Sequence, residues 1–398
     1  MKSKKISILA LLIGISITIL VREYNLSNQL IKNPVFNGST MGTTYTIKII
    51  DEITPENYEK INTWITNTLY NYNTQMSTWL EESEISKFNK STSLEKYKIN
   101  SQFFYIVDKA LKIAKISNGY YDPTIQPLYD LWGFGSGSTE NQINNFPSSK
   151  KISNTLNKIG YEKLHIGIGK YDSYDFKHPY IQKKEPAITL NLGGVAKGGA
   201  ASDIVYILSG NKWIDIYESY DDKLIQDSKN YSYYELLNNF NFKNIYVDIG
   251  GDVQVLGFNQ DGLPWKIGIQ TPSSSLFDVS SLYGIINITN GSLATSGNYF
   301  NYKEKDNQKY AHILDPKTGM SIKSDIVSVS VYNPNGAYAD GFATAIYALG
   351  IKKGLQMVES LPDTEAMMII QNRDGSFLDY FSSQFITKTN YKKINYQD

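Results

Sequence analysis

Asp340 and Thr344 stand four residues apart in Tyr338-Ala339-Asp340-Gly341-Phe342-Ala343-Thr344, so a helix here puts a carboxylate and a hydroxyl on one face. Both are hard oxygen donors of the kind that hold magnesium or calcium. A surface Asp beside a helical Thr gives the same spacing without any shared task. In the run LNLGGVAKGG, residues 190–199, the glycines Gly193 and Gly194 let backbone amides come close to an anion, and Lys197 adds a positive charge in the first helical turn. This is not a Walker A loop, because Gly198 follows the lysine where Ser or Thr would hold a metal, and GxGxxG is missing too. His312 opens His-Ile-Leu-Asp-Pro-Lys-Thr-Gly, a polar turn where an imidazole can serve as base or as plain structure. Tyr120-Tyr121-Asp122-Pro123-Thr124, followed by Leu131-Trp132-Gly133-Phe134-Gly135, can wall a planar ring or simply pack as core and turn.

The elements that must position these groups are partly legible. A strand is predicted over Tyr45–Ile50. Thr54-Pro55 then caps a helix whose apolar stripe is Ile61, Ile65 and Leu69. A second helix is predicted from Ser101 to Ser117, with Val107, Leu111 and Ala114 on one face and Asn118-Gly119 as its stop. Ala187–Leu192 reads as a strand leading through the glycine turn into a helix that ends near Leu208, a unit that suits phosphate. Further strands are expected at Ile245–Ile249, Val253–Leu256, Trp265–Ile269, Ile285–Ile288 and Val327–Tyr332, with a helix over Ala337–Leu349. The pattern predicts an α+β fold with a largely antiparallel sheet and packed helices. Residues 169–184 and 209–239 read as insertions, either solvated excursions or docking surfaces for a protein partner.

At 398 residues the chain can bury a large core, and length alone suggests two or three domains. With 39 basic and 39 acidic residues the formal charge is zero, so no global field favours nucleic acid and phosphate recognition must be local. There is no cysteine, which excludes disulfides, thiolate catalysis, cysteine-bound metal clusters and a lipidated N-terminal cysteine. Only three histidines occur, His165, His178 and His312, leaving oxygen ligands as the main option for a metal. Lys2, Lys4 and Lys5 form a basic stub (1–5) before an apolar run, Ile6–Val21, which reads as a signal anchor or signal peptide. The run is shorter than the roughly 20 residues that span a bilayer comfortably, but no small-x-small cleavage site follows it, which favours an anchor. The basic residues predict a cytoplasmic N-terminus with the rest of the chain outside, after a linker over 22–36.

Taken together in order, the motifs resemble the FAD:protein FMN transferase, or ApbE, family. They are Thr40-Met41-Gly42-Thr43, Met76-Ser77-Thr78-Trp79, Ser83-Glu84-Ile85-Ser86-Lys87-Phe88-Asn89, the Tyr121–Gly135 block, LNLGGVAKGG, Val247-Asp248-Ile249-Gly250-Gly251-Asp252, Ala294-Thr295-Ser296-Gly297, the His312–Gly319 turn and Ala339-Asp340. The resemblance implies one compact α+β domain over about 37–390. It further implies that Met41, Trp79, Tyr120, Tyr121, Asp122, Asn191, Lys197 and Leu314 contact FAD. Magnesium would be held by the Gly194 carbonyl with Asp340 and Thr344, and His312 would take part in phosphoryl transfer. Asn191 departs from the family, which usually has Asp there, and residues 209–239 are longer than the family's connection.

The reaction so implied moves FMN from FAD to a Ser or Thr hydroxyl of an acceptor protein, with AMP leaving. Acceptors would be flavoproteins such as subunits of membrane redox pumps, reached from the extracytoplasmic (periplasmic) side of a bacterial inner membrane. A magnesium-dependent FAD pyrophosphatase and a flavin-binding protein without turnover are the alternatives.

Overall fold

The computed structural model describes residues 29–139, 142, 145–170, 177–211, 240–272, 282–297, 302–305 and 308–394. The N-terminal apolar run, residues 171–176 of the first expected insertion and residues 212–239 of the second lie outside the described residues. Among the described residues no helix is long and apolar enough to cross a membrane.

An eight-stranded sheet organises the molecule: β1 (Val35–Thr40), β2 (Thr43–Ile49), β3 (Ile245–Ile249), β4 (Asp252–Leu256), β5 (Asn290–Gly297), β6 (Ile326–Asn333), β7 (Glu365–Gln371) and β8 (Phe377–Phe381). Each strand pairs antiparallel with its neighbour in this sequence order, so the sheet is one long meander interrupted by large excursions. The expectation of a largely antiparallel α+β fold is met.

Alternation sorts side chains to the two faces. On β3, Ile245, Val247 and Ile249 join the main core beneath the helices. On β4, Val253 and Val255 point the other way, into a second core shared with a smaller sheet formed by Trp265–Gln270, Leu282–Ile288 and Lys392–Lys393. This leaves Asp252 and Gln254 of β4 on the helical face.

The helices are α1 (Pro55–Met76), α2 (Glu84–Lys90), α3 (Ser101–Ile116), α4 (Gln126–Trp132), α5 (Ser149–Leu156), α6 (Ala196–Leu208), α7 (Gly336–Glu359) and α8 (Phe385–Thr389). Thr54 caps α1 by accepting a hydrogen bond from the Asn57 amide at 3.2 Å, and the stripe Ile61, Ile65, Leu69 is buried. Helices α6 and α7 lie on the main sheet, with α1 and α3 packed against them. Helix α7 continues ten residues past the expected end at Leu349, kinking at Gly350 (φ 74°).

Three expectations need correction. Ala187–Leu192 belongs to no strand; it is held by side chains and a loop, with Asn89 bonding both the Leu190 amide (2.7 Å) and carbonyl (2.9 Å) and the Asn191 amide donating to the Pro123 carbonyl at 2.7 Å. Ile188, Leu190 and Leu192 are buried at every second position, which imitates a strand pattern without a ladder partner. Residues 177–183 are not a solvated excursion, because Lys177–Lys183 pairs with Leu164–Lys170 and Tyr97–Lys98, burying Ile181. The linker read over 22–36 also ends too late: Ile31–Lys32 pairs with Glu52–Ile53, and Val35 and Phe36 open β1.

Candidate active site

The site is built where α6 and α7 begin. Asn335 caps α7 through its side-chain oxygen, which accepts from the Ala337 and Tyr338 amides. Asp340 and Thr344 follow on one face, as the i,i+4 spacing predicts. Close approach of the two helices depends on glycine: a side chain on Gly198 would overlap the Gly336 carbonyl oxygen, and one on Gly336 would overlap that of Gly198. Ser202 of α6 ties the junction together, accepting from the Gly336 amide at 2.6 Å and donating to Gln254 of β4 at 2.7 Å. Strand and both helix starts are therefore held in one register.

That register brings three charges together. The Lys197 ammonium lies 2.7 Å from Asp252 Oδ2 and 3.7 Å from Asp340 Oδ2. The first is a close ion pair. Asp340 Oδ2 also faces the Gly198 amide at 3.3 Å. Burial raises the Asp340 carboxyl and Asp252 raises it further, while Lys197 and the Gly198 amide pull the other way; the balance is upward, so a proton or a cation is welcome there. Lys197 keeps 28 % of its side-chain surface, yet burial of the ammonium opposes its charge. The two carboxylates outweigh that and raise its pKa.

Gly194 joins the cluster. A hydrogen replaced by carbon on its Cα would stand 3.3 Å from Thr344 Oγ1 and 3.3 Å from Tyr121 Cε2, so the glycine bend meets both residues. Thr344 Oγ1 is weakly engaged, 3.3 Å from Ser296 Oγ at the end of β5 and 3.5 Å from the Asp340 carbonyl. The Tyr121 hydroxyl is buried with no hydrogen-bond partner among the described residues. Burial first, then the Asp340 charge, raises its pKa well above the usual phenol range. An unpaired buried hydroxyl from the Tyr121 loop, with an underused threonine and a raised carboxyl from α7, describes a site shaped for a polar guest.

All the donors are oxygen, and no group of three His, Asp or Glu side chains able to cage a metal occurs among the described residues. A carboxylate and a hydroxyl are an incomplete set, whose chemistry fits a hard cation completed by phosphate oxygens and water.

The remaining expected residues sit around this centre at various removes. Asn191 Oδ1 accepts from the Gly193 amide at 2.9 Å, and its amide donates to Gln126 Oε1 at 2.7 Å, so the side chain is locked beside the glycine turn. Tyr120 is half-buried, with Lys353 Nζ 3.4 Å from its hydroxyl. The Asp122 carboxylate faces inward, accepting from Thr124 and from the Tyr161 amide at 3.0 Å. Burial raises it against the pull of those bonds. Its described hydrogen bonds brace the loop. Leu314 is buried with Trp132 and Leu128, and Trp132 donates to the Gly319 carbonyl at 2.8 Å, which docks the His312–Gly319 turn on α4. His312 is half-buried on that loop, directly after the strand Gln308–Ala311. Met41 occupies the β1–β2 turn at φ 48°, and Trp79 is exposed (72 %). Sequence reasoning gave Asp252, Ser296 and Gln126 no role, although all three lie in motifs it quoted. Only their position opposite Lys197 and Thr344 reveals them.

A glycine bend, a helix-start lysine and two carboxylates thus come together where α6 and α7 begin. The ApbE family profile matches residues 41–216 and 232–368. A FAD:protein FMN transferase of Vibrio cholerae is 32 % identical over 349 residues, covering 88 % of this chain and 90 % of its own length. One from Haemophilus influenzae is 28 % identical over 90 % of this chain and 92 % of its own. The solved structure of the flavin transferase ApbE from Vibrio cholerae superposes with a TM-score of 0.69 at 29 % identity, covering 90 % of this chain and 99 % of that one. The chain belongs to the ApbE family.

Proposed function

We propose that this chain is a FAD:protein FMN transferase that uses magnesium. The observation that carries the reading is the meeting of Gly194, Thr344, Asp340 and Lys197 at the starts of α6 and α7. The acceptor's Ser or Thr oxygen attacks the FMN-side phosphorus of FAD, the bond to the bridging oxygen breaks, AMP leaves with that oxygen, and the hydroxyl proton passes to His312. Asp340, Thr344 and the Gly194 carbonyl would hold magnesium, which supplies charge neutralisation on the diphosphate. Lys197 and the α6 amides steady phosphate oxygens, and preorganised donors of this kind cost little reorganisation during reaction. Asn191, fixed by Gln126 and Gly193, puts a neutral amide where the family usually has a carboxylate, which changes the hydrogen bond it offers FAD. Met41, Trp79, Tyr120, Tyr121 and Leu314 supply apolar and aromatic surface, with Asp122 shaping the loop that carries Tyr120 and Tyr121.

Incubation with FAD, magnesium and a candidate acceptor, followed by intact-mass measurement, tests this. One FMN added to the acceptor with release of AMP is expected. An unmodified acceptor beside free FMN would mean a pyrophosphatase, and intact FAD a binding protein. The basic stub and the Ile6–Val21 run support an uncleaved anchor in the inner membrane with the catalytic domain outside, facing acceptors such as redox-pump subunits. Protease added to spheroplasts should then degrade the catalytic domain; protection would place it in the cytoplasm.

A further inference from the structure

Asp252 has no task in the reaction above, yet its placement is tightly determined. The turn from β3 to β4 runs through Gly250 (φ 61°) and Gly251 (φ 91°), left-handed at both positions as a two-residue hairpin demands. Asp248 braces this turn by accepting from the Gly251 amide at 2.9 Å. Asp252 thus opens β4 on the helical face, 3 % exposed, opposite the first turn of α6. Its Oδ2 finds no directed hydrogen bond among the described residues, and what it meets is the Lys197 ammonium at 2.7 Å.

The same ammonium is 3.7 Å from Asp340 Oδ2. A lysine stem is flexible and its head is a compact point charge, so closing that gap takes only a change of rotamer. In full contact with Asp340, the ammonium would occupy the oxygen that a divalent cation requires. Asp252 is the competing carboxylate that prevents this.

We propose that Asp252 is a positioning residue that holds and neutralises Lys197, so that the ammonium does not compete with a divalent cation for Asp340. The inference rests on the cation reading of the site. Its prediction concerns binding of magnesium itself, before any flavin chemistry.

The test is the melting temperature of the full chain against magnesium chloride concentration, with FAD omitted, since a ligand that binds the folded state raises stability in proportion to its saturation. For Asp252→Asn the magnesium concentration giving half the rise should increase by about tenfold or more, as removal of groups supporting metal ligands does elsewhere. Adding Lys197→Met to that variant should return the midpoint to the wild-type value or below, because no ammonium is left to compete. A midpoint that stays high in the double variant would make Asp252 a direct ligand and overturn the proposal. A lower melting temperature with an unmoved midpoint would make it purely structural, also overturning it. Should Asp252→Asn fail to fold, Lys197→Met alone carries the test: its midpoint should fall below wild type, and an unchanged or raised one contradicts the proposal. A wild-type chain indifferent to magnesium both alone and with FAD added would instead refute the cation reading, distinguishing that failure from this one.

Discussion

At the scale of single residues, function depends on groups whose partners come from distant parts of the chain. Asp340 and Thr344 were legible because their spacing is local to one helix. Asp252 was not, because its meaning lies 2.7 Å away on a lysine 55 positions earlier, and nothing in Gly-Gly-Asp reveals which face of β4 the carboxylate takes. For Asp122 only the resemblance implied contact with FAD, and no local spacing shows that its carboxylate accepts from Thr124 and the Tyr161 amide. For His312 the proposed role as proton acceptor gives a separable outcome. His312→Ala should bind FAD as wild type does while transfer falls by about a hundredfold to ten-thousandfold. Fluorescence titration with FAD alongside single-turnover transfer separates the two, and loss of FAD affinity with an unchanged transfer rate would remove His312 from the chemistry.

At the scale of elements, the contact between α6 and α7 positions the chemistry. Gly198→Ala places a methyl group against the Gly336 carbonyl, backbone against which no side chain can yield. The expected cost is about 1–3 kcal/mol, typical of overpacking, read as a lower urea midpoint at unchanged m, together with weaker magnesium response. Full retention of both would show that the helices separate freely. Helix α6 also carries Asp203, 2 % exposed, whose carboxylate accepts a hydrogen bond from the Tyr72 hydroxyl of α1. Burial raises its pKa well above the usual range. With the folded value above the unfolded one near 4, its stabilising contribution is complete below about pH 4 and is lost as pH rises through the folded value. Asp203→Asn keeps an acceptor for Tyr72 without the ionisation. The variant should therefore melt about 2–4 °C above wild type at pH 8, with the difference closing towards pH 4. A gap that widens in acid would contradict this. Helix periods and caps were legible at this scale, as Thr54 and the Ile61, Ile65, Leu69 stripe show. Strand β5 was not, because Asn290–Gly297 lacks an alternating apolar pattern and is a central strand through burial between β4, β6 and α7.

At the scale of the whole molecule, the eight-stranded meander supplies a rigid floor for the helix starts, and the long excursions between strands carry most of the site. Antiparallel character was legible from strand patterns. The strand order was not, since β2 and β3 are neighbours in space but separated by nearly two hundred residues. The described residues flanking the second expected insertion adjoin: a side chain on Gly210 would stand 3.1 Å from Asn241 Oδ1, and the Phe242 amide donates to the Leu208 carbonyl at 3.0 Å. Replacing residues 212–239 with a short Gly-Ser bridge should leave the melting temperature within about 3 °C, because loop-closure entropy changes slowly with length. Collapse of the fold would make the insertion part of the core.

The central claim is that Asp340 anchors a cation on which FMN transfer depends. Intact-mass measurement of a Ser- or Thr-bearing acceptor, incubated with FAD, saturating magnesium and either wild-type or Asp340→Ala enzyme, tests it most directly. The account predicts one added FMN with wild type and at least about a hundredfold slower addition with the variant. Equal labelling by the two enzymes would contradict it.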